Sequence, residues 1–220
     1  MIPVNGFYHI LAINDYMNIV NEQFNIIIES GLYHKCKTIY IGCIGEKKEY
    51  LNLLNYFADY HKVKIESYSD NNSEFEFLTL KILKKVSDKD NFYGFYIHTK
   101  GVSYQKNIGG KYWRDYMNYY NLACWRDAIG HLKLGYDTYG VKLLSARMEP
   151  AKKLHYSGNF YWFRSDYAKT LKPVESFDLK NRFDAEVYIC SNHPIAATAC
   201  QDFVDYTQKG TFKPLEKNEQ

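Results

Sequence analysis

The strongest constraint on the fold is a regular alternation of short apolar runs with amphipathic stretches through the first half of the chain. Phe7 to Ile13 has the length and composition of a buried strand, and Asn14 or Asp15 then fits a helix N-cap. Tyr16, Ile19, Val20, Phe24, Ile27 and Ile28 recur at helical spacing until Gly31 ends the pattern. A second unit pairs a strand at Thr38 to Cys43 with a helix at Glu46 to Tyr60, whose Leu51, Leu54 and Phe57 form the apolar face. The third runs from a strand at Val63 to Tyr68, through the loop Ser69 to Asn72, into a helix at Ser73 to Val86. Ser73 with Glu76 three residues on has the form of a capping box. A fourth strand, Phe92 to Ile97, ends at His98-Thr99-Lys100-Gly101.

Strands that alternate with helices are joined by right-handed crossovers, so the sequence predicts an α/β domain with a mainly parallel open sheet and helices on both faces. Ligands of such sheets lie at the carboxyl ends of the strands. Asn14, the Ser69 to Asn72 loop and the His98 to Gly101 turn therefore fall on one rim. The second half is less regular. A Gly-rich loop, Gly101 to Gly110, leads into a long aromatic helix from Lys111 to Leu132 with Trp113, Tyr116, Tyr120 and Trp125. Strands are predicted at Gly140 to Leu144 and His155 to Phe163, and short helices at Ser165 to Leu171 and Arg182 to Cys190. The length suits a single domain over residues 1–209, with a polar, lysine-rich and poorly ordered tail at 210–220.

Composition narrows the function. Net charge is +3, with basic and acidic residues mixed along the chain, which argues against a nucleic-acid binder. No stretch approaches the roughly 18 apolar residues of a membrane span. Five cysteines, widely spaced and without a C-x-x-C pair, fit reduced thiols in a cytoplasmic setting better than disulfides or zinc. The 22 Tyr and 13 Phe are more rings than a core of this size needs; a cleft lined with them suits sugars and bases, and a compositional bias of the genome is the other reading.

The turn after the fourth strand is the richest in chemistry. An imidazole (His98), a hydroxyl (Thr99), an ammonium (Lys100) and a flexible glycine at a strand end offer several donors to a phosphate or carboxylate. Lys100 or His98 would stabilise a departing diphosphate without a metal. The segment His155 to Trp162 joins the small turn Ser157-Gly158-Asn159 to an aromatic run. Asn159 can donate and accept hydrogen bonds and Trp162 can stack on a pyranose face, although the same rings also fit a strand packed on the core.

Tyr8-His9-Ile10, Ser30-Gly31-Leu32-Tyr33, Thr79-Leu80, Tyr96-Ile97-His98-Thr99-Lys100-Gly101, Trp113-Arg114-Asp115-Tyr116, Tyr136-Asp137-Thr138, His155-Tyr156-Ser157-Gly158-Asn159-Phe160-Tyr161-Trp162 and Arg182-Phe183-Asp184-Ala185-Glu186 together carry a resemblance. The chain, from about Tyr8 to Ile189, resembles the GT-A-type glycosyltransferases and glycosyltransferase-like proteins of bacterial polysaccharide loci and large viruses. That resemblance implies a Rossmann-like GT-A domain, with a nucleotide-binding half at about 1–101 and an acceptor-binding half at about 102–209. It implies a nucleotide-sugar donor and a glycan or saccharide acceptor, and hence a part in polysaccharide biosynthesis. Asn14 and Asp70 would hold base and ribose, with Thr79, His98 and Lys100 also on the donor side. Trp113, His155, Asn159 and Trp162 would meet the acceptor. Glu186 would be the general base, with Asp184 and Asp137 as rivals. Most such enzymes carry an Asp-x-Asp pair that holds Mg²⁺ or Mn²⁺ after the fourth strand. His98-Thr99-Lys100 stands there instead, which counts against a metal while leaving Mg or Mn possible through His98 and a distant carboxylate. The missing pair also leaves open a non-catalytic glycan- or nucleotide-binding module. Phosphoryl or nucleotidyl transfer ranks last, because neither a P-loop nor paired carboxylates occur.

Overall fold

The computed structural model describes residues 2–103, 108–144 and 153–199. The apolar runs of the first half become strands β1 (Val4–Ala12), β2 (Cys36–Gly45), β3 (Val63–Ser69) and β4 (Tyr93–His98), all mutually parallel in the order β3-β2-β1-β4. Between them lie α1 (Tyr16–Glu29), α2 (Leu32–Lys35), α3 (Lys47–Tyr56) and α4 (Phe77–Ser87). Then follow α5 (Ile108–Asn118), a π turn over Tyr119–Ala123, α6 (Trp125–Lys133), β5 (Thr138–Gly140) and β6 (Leu143–Leu144). The chain continues through β7 (His155–Tyr156), β8 (Tyr161–Arg164), α7 (Ser165–Thr170), α8 (Arg182–Val187) and β9 (Ala196–Thr198).

The seven-stranded sheet has the order β3-β2-β1-β4-β8-β5-β9. β8 runs antiparallel to both β4 and β5, so the sheet is parallel at one end and mixed at the other. The α/β class and the mostly parallel sheet agree with the sequence. The strand β9, beside β5, carried no apolar run long enough to announce it. Phe24, Trp125 and Trp162 belong to the core on one face, and Phe77, Tyr161 and Tyr188 to the core on the other. Tyr8, Tyr96, Tyr116, Tyr139, Tyr156, Tyr161 and Tyr188 are all fully buried. Much of the aromatic excess therefore builds core; among the described residues Phe75 and Trp113 are the Phe, Tyr or Trp side chains that border the cleft described below.

Three local expectations need correction. Leu51 and Leu54 on α3 are exposed, and Leu53 with Phe57 faces the core. The helix after β3 starts at Phe77, because a 3-10 turn over Asn72–Glu74 and a positive φ of 46° at Phe75 interrupt it; no capping box forms. The long aromatic helix is α5 and α6 joined by the π turn. Among the described residues no helix is long and apolar enough to cross a membrane. The tail at 210–220 lies outside the described residues.

Candidate functional site

At the carboxyl ends of β1, β2 and β4 the surface opens into a cleft of about 460 Å³. β1 and β2 contribute His9, Leu11, Ile13 and Ile44. The turn before α4 adds Asn72, Phe75 and Glu76, and the chain leaving β4 adds His98 through Ser103. Gly109, Gly110 and Trp113 of α5 and Arg182 at the start of α8 complete the lining. Adjacent parallel strands in register put His9 directly opposite His98, and side chains at paired positions point to the same face of a sheet. Both imidazoles thereby reach the α4 side of the cleft.

Two glycines permit the close packing behind this wall. A Cβ on Gly42 would lie 2.2 Å from Thr79 Oγ1, which holds His9 Nδ1 at 2.9 Å. Gly158, at φ 81°, sits in the turn closed by the Asn159 N–H on the Tyr156 carbonyl; a Cβ there would lie 2.3 Å from Met117 Sδ and 2.5 Å from Trp113 Nε1. The Gly158 carbonyl is 3.0 Å from His98 Nε2. A carbonyl only accepts, so Nε2 carries the hydrogen and Nδ1 presents a lone pair.

Burial drives the His98 imidazole well below its usual pKa, with the Lys100 charge adding to the effect, so the ring is neutral at pH 7. Burial likewise lowers His9 to about 3, helped by Arg182. Lys100 is lowered mainly by burial and then by Arg182, while Glu186 and Glu76 oppose the shift. Among the described residues its ammonium has no hydrogen-bond acceptor and no ion-pair partner. Glu76 is 5% exposed, with Oε1 3.7 Å from Arg182 Nη2 and 4.0 Å from His98 Nδ1. A desolvated cation and a buried carboxylate, each without a hydrogen bond among the described residues, thus border one cleft.

Of the residues predicted from sequence, His98, Lys100 and Trp113 line the cleft together. The others stand elsewhere. Asn14, at φ 51°, donates from Nδ2 to the Val102 carbonyl at 2.9 Å and so ties the exit of β1 to the loop after β4. Asp70 is exposed beyond the end of β3, and Thr79 is buried behind His9. His155 is buried, its Nδ1 2.9 Å from the Lys153 carbonyl. Asn159 is buried at φ 59°, and among the described residues its side chain has no hydrogen-bond partner. Trp162 is fully buried against Phe95, its Nε1 donating to the Asn121 carbonyl at 2.8 Å, and it has no face left for a sugar. Glu186 is half-buried outside the cleft lining, one helical turn after Arg182, and its charge is felt at Lys100. Asp184 pairs with Lys153 at 3.2 Å, and Asp137 accepts from the Ile195 N–H at 2.9 Å.

His9, Phe75, Glu76 and Arg182 are among the cleft residues that the sequence reading did not single out for chemistry. A capping-box pattern disguised Glu76, and Arg182 was visible only as the first residue of Arg-Phe-Asp-Ala-Glu. Among the described residues no group of three His, Cys, Asp or Glu side chains could hold a metal ion.

Fold and cleft define an α/β protein with an open, doubly wound sheet and, at its strand ends, a largely apolar cleft that carries a few charged and polar groups. Residues 7–212 match the family model described as Domain of unknown function (DUF8361), and the chain belongs to that family. No curated protein matches. Among solved structures, 4-diphosphocytidyl-2C-methyl-D-erythritol synthase from Anaerococcus prevotii is similar over 93% of this chain and 94% of that one, at 8% identity and a TM-score of 0.48.

Proposed function

We propose that the chain is a glycosyltransferase that binds a nucleoside-diphosphate sugar in the strand-end cleft and passes the sugar to a hydroxyl of a glycan. The observation that carries this reading is Lys100, a desolvated ammonium in the cleft wall with no hydrogen-bond acceptor among the described residues. An ammonium in that setting is stabilised by an anionic ligand, and a diphosphate supplies the charge. Arg182, 46% exposed at the mouth, is a second cation within reach of the same ligand.

In the reaction the acceptor oxygen attacks the anomeric carbon while the bond from that carbon to the diphosphate breaks. The nucleoside diphosphate departs with the electron pair, its charge offset by Lys100 and Arg182. The acceptor proton passes to a carboxylate, for which Glu186 is the candidate because it neighbours Lys100 electrostatically. His98 is neutral and donates from Nε2 to Gly158, so it orients the turn behind the cleft. Among the described residues no group of His, Cys, Asp or Glu side chains assembles a metal site.

Calorimetry with uridine, thymidine, guanosine and adenosine diphosphates tests the donor site: at least one binds, and Lys100→Ala weakens it by about tenfold or more. Affinity unchanged in that variant removes the proposed role of Lys100. A second reading, a binding module without turnover, is favoured by the position of Glu186 outside the cleft lining. Tight donor binding with neither transfer nor donor hydrolysis, with or without Mn²⁺, would establish it.

A further inference from the structure

Glu76 Oε1 and His98 Nδ1 lie 4.0 Å apart on the cleft wall. Both are acceptors. The Gly158 carbonyl 3.0 Å from Nε2 fixes the hydrogen on that nitrogen and leaves Nδ1 with its lone pair. The Glu76 side chain is 7% exposed, and its approach to Arg182 at 3.7 Å is too long for a hydrogen bond. A buried carboxylate that accepts no hydrogen bond is costly, and two acceptors directed at one space are satisfied together by hydroxyl donors. Phosphate oxygens, which only accept, suit Lys100 on the same wall; they do not suit this pair.

We infer that Glu76 and the Nδ1 lone pair of His98 accept hydrogen bonds from hydroxyls of the donor's sugar ring, and that Glu76 restricts the donor to neutral, hydroxylated sugars. The inference rests on the glycosyltransferase reading. It divides the wall into an anion-binding part at Lys100 and Arg182 and a hydroxyl-binding part at Glu76 and His98. A uronic acid would bring its carboxylate toward that of Glu76 in a poorly solvated space, and like charges there repel. His98 is a positioning group for this pair through its bond to Gly158, besides being an acceptor.

The test uses the whole protein and, for whichever nucleoside diphosphate binds, three ligands: the free diphosphate, its neutral hexose conjugate and its hexuronate conjugate. Glu76→Gln keeps the shape of the side chain and removes its charge. The expected result is a hexose conjugate bound about tenfold more weakly by the variant, a free diphosphate bound as well as or better than before, and a hexuronate bound more tightly than by the original protein. A loss confined to the hexose conjugate, with no loss for the free diphosphate, is the signature of a direct contact with the sugar. If all three ligands weaken together, Glu76 serves only to hold Arg182, and the inference is overturned. Unchanged affinity for the hexose conjugate overturns it too. Failure of every nucleoside diphosphate to bind the original protein would instead defeat the proposed function, so the two failures are distinguishable. Circular dichroism and unfolding of Glu76→Gln confirm that the variant folds.

Discussion

His9 sits beneath the cleft with 4% of its surface exposed, and its imidazole stays neutral in the folded protein down to about pH 3. In the unfolded chain the same ring takes a proton near the usual value of about 6.5. The unfolded state thus binds more protons than the folded one between those two values. Stability is complete above the unfolded pKa and falls as the pH drops from about 6.5 toward 3. Each pH unit well below 6.5 costs about 1.4 kcal/mol, so acidification from pH 7 to 4.5 removes roughly 2.5 kcal/mol through this ring alone. His9→Asn isolates that contribution, because the amide can still meet Thr79 Oγ1, which is 2.9 Å from Nδ1 in the native protein, and cannot titrate. The variant is expected to be less stable at pH 7, by about 1–3 kcal/mol for an imperfectly filled core site. Its further loss between pH 7 and 4.5, measured by urea unfolding, should be smaller than that of the original protein by about 2.5 kcal/mol. Equal losses in the two proteins would refute the argument, since they would mean that His9 is protonated or hydrated in the native state.

Trp162→Phe should lower stability by about 2–4 kcal/mol, from lost volume and from the Asn121 carbonyl left without its donor, while nucleotide affinity stays within about twofold. A large loss of sugar-conjugate affinity at unchanged stability would restore this ring to the binding site. Gly158→Ala forces a Cβ to within 2.3 Å of Met117 Sδ at a positive φ, and thermal unfolding should register a loss of about 2–4 kcal/mol. Because the same turn carries the carbonyl bound by His98, ligand affinity should fall with it; an unaffected melting point would show that the turn yields freely. Removal of metal with a chelator is expected to leave nucleoside-diphosphate affinity unchanged, since the described residues assemble no group for an ion, and calorimetry before and after chelation checks this.

The chain's local pattern determined much of the parallel half of the fold. Phe7 to Ile13 and Phe92 to Ile97 are apolar runs too short for helices, and their alternation with helical periodicities leaves few arrangements other than a wound sheet. The same pattern placed His98 and Lys100 at a strand end, where contiguous residues bring their chemistry along with the backbone that carries them. Asp70 shows the limit of that argument. It is at the correct end of β3, yet the loop turns its side chain to solvent while Phe75 and Glu76 line the cleft.

What the tertiary structure alone decided are the meetings between distant segments and the uses of ambiguous ones. Trp162 reads equally as a stacking platform and as a core ring; β8 settles the matter by running antiparallel between β4 and β5, which packs its side chains on both faces. Leu51, Leu53 and Leu54 are all apolar, and it is the packing of α3 against the core that buries Leu53 and leaves the other two exposed. Glu76 and Arg182 come within 3.7 Å because α4 and α8 pack on the same face of the sheet. Secondary structure is written in the spacing of neighbouring residues, whereas a binding wall is assembled by packing, and packing depends on the volumes of every side chain between the elements it joins.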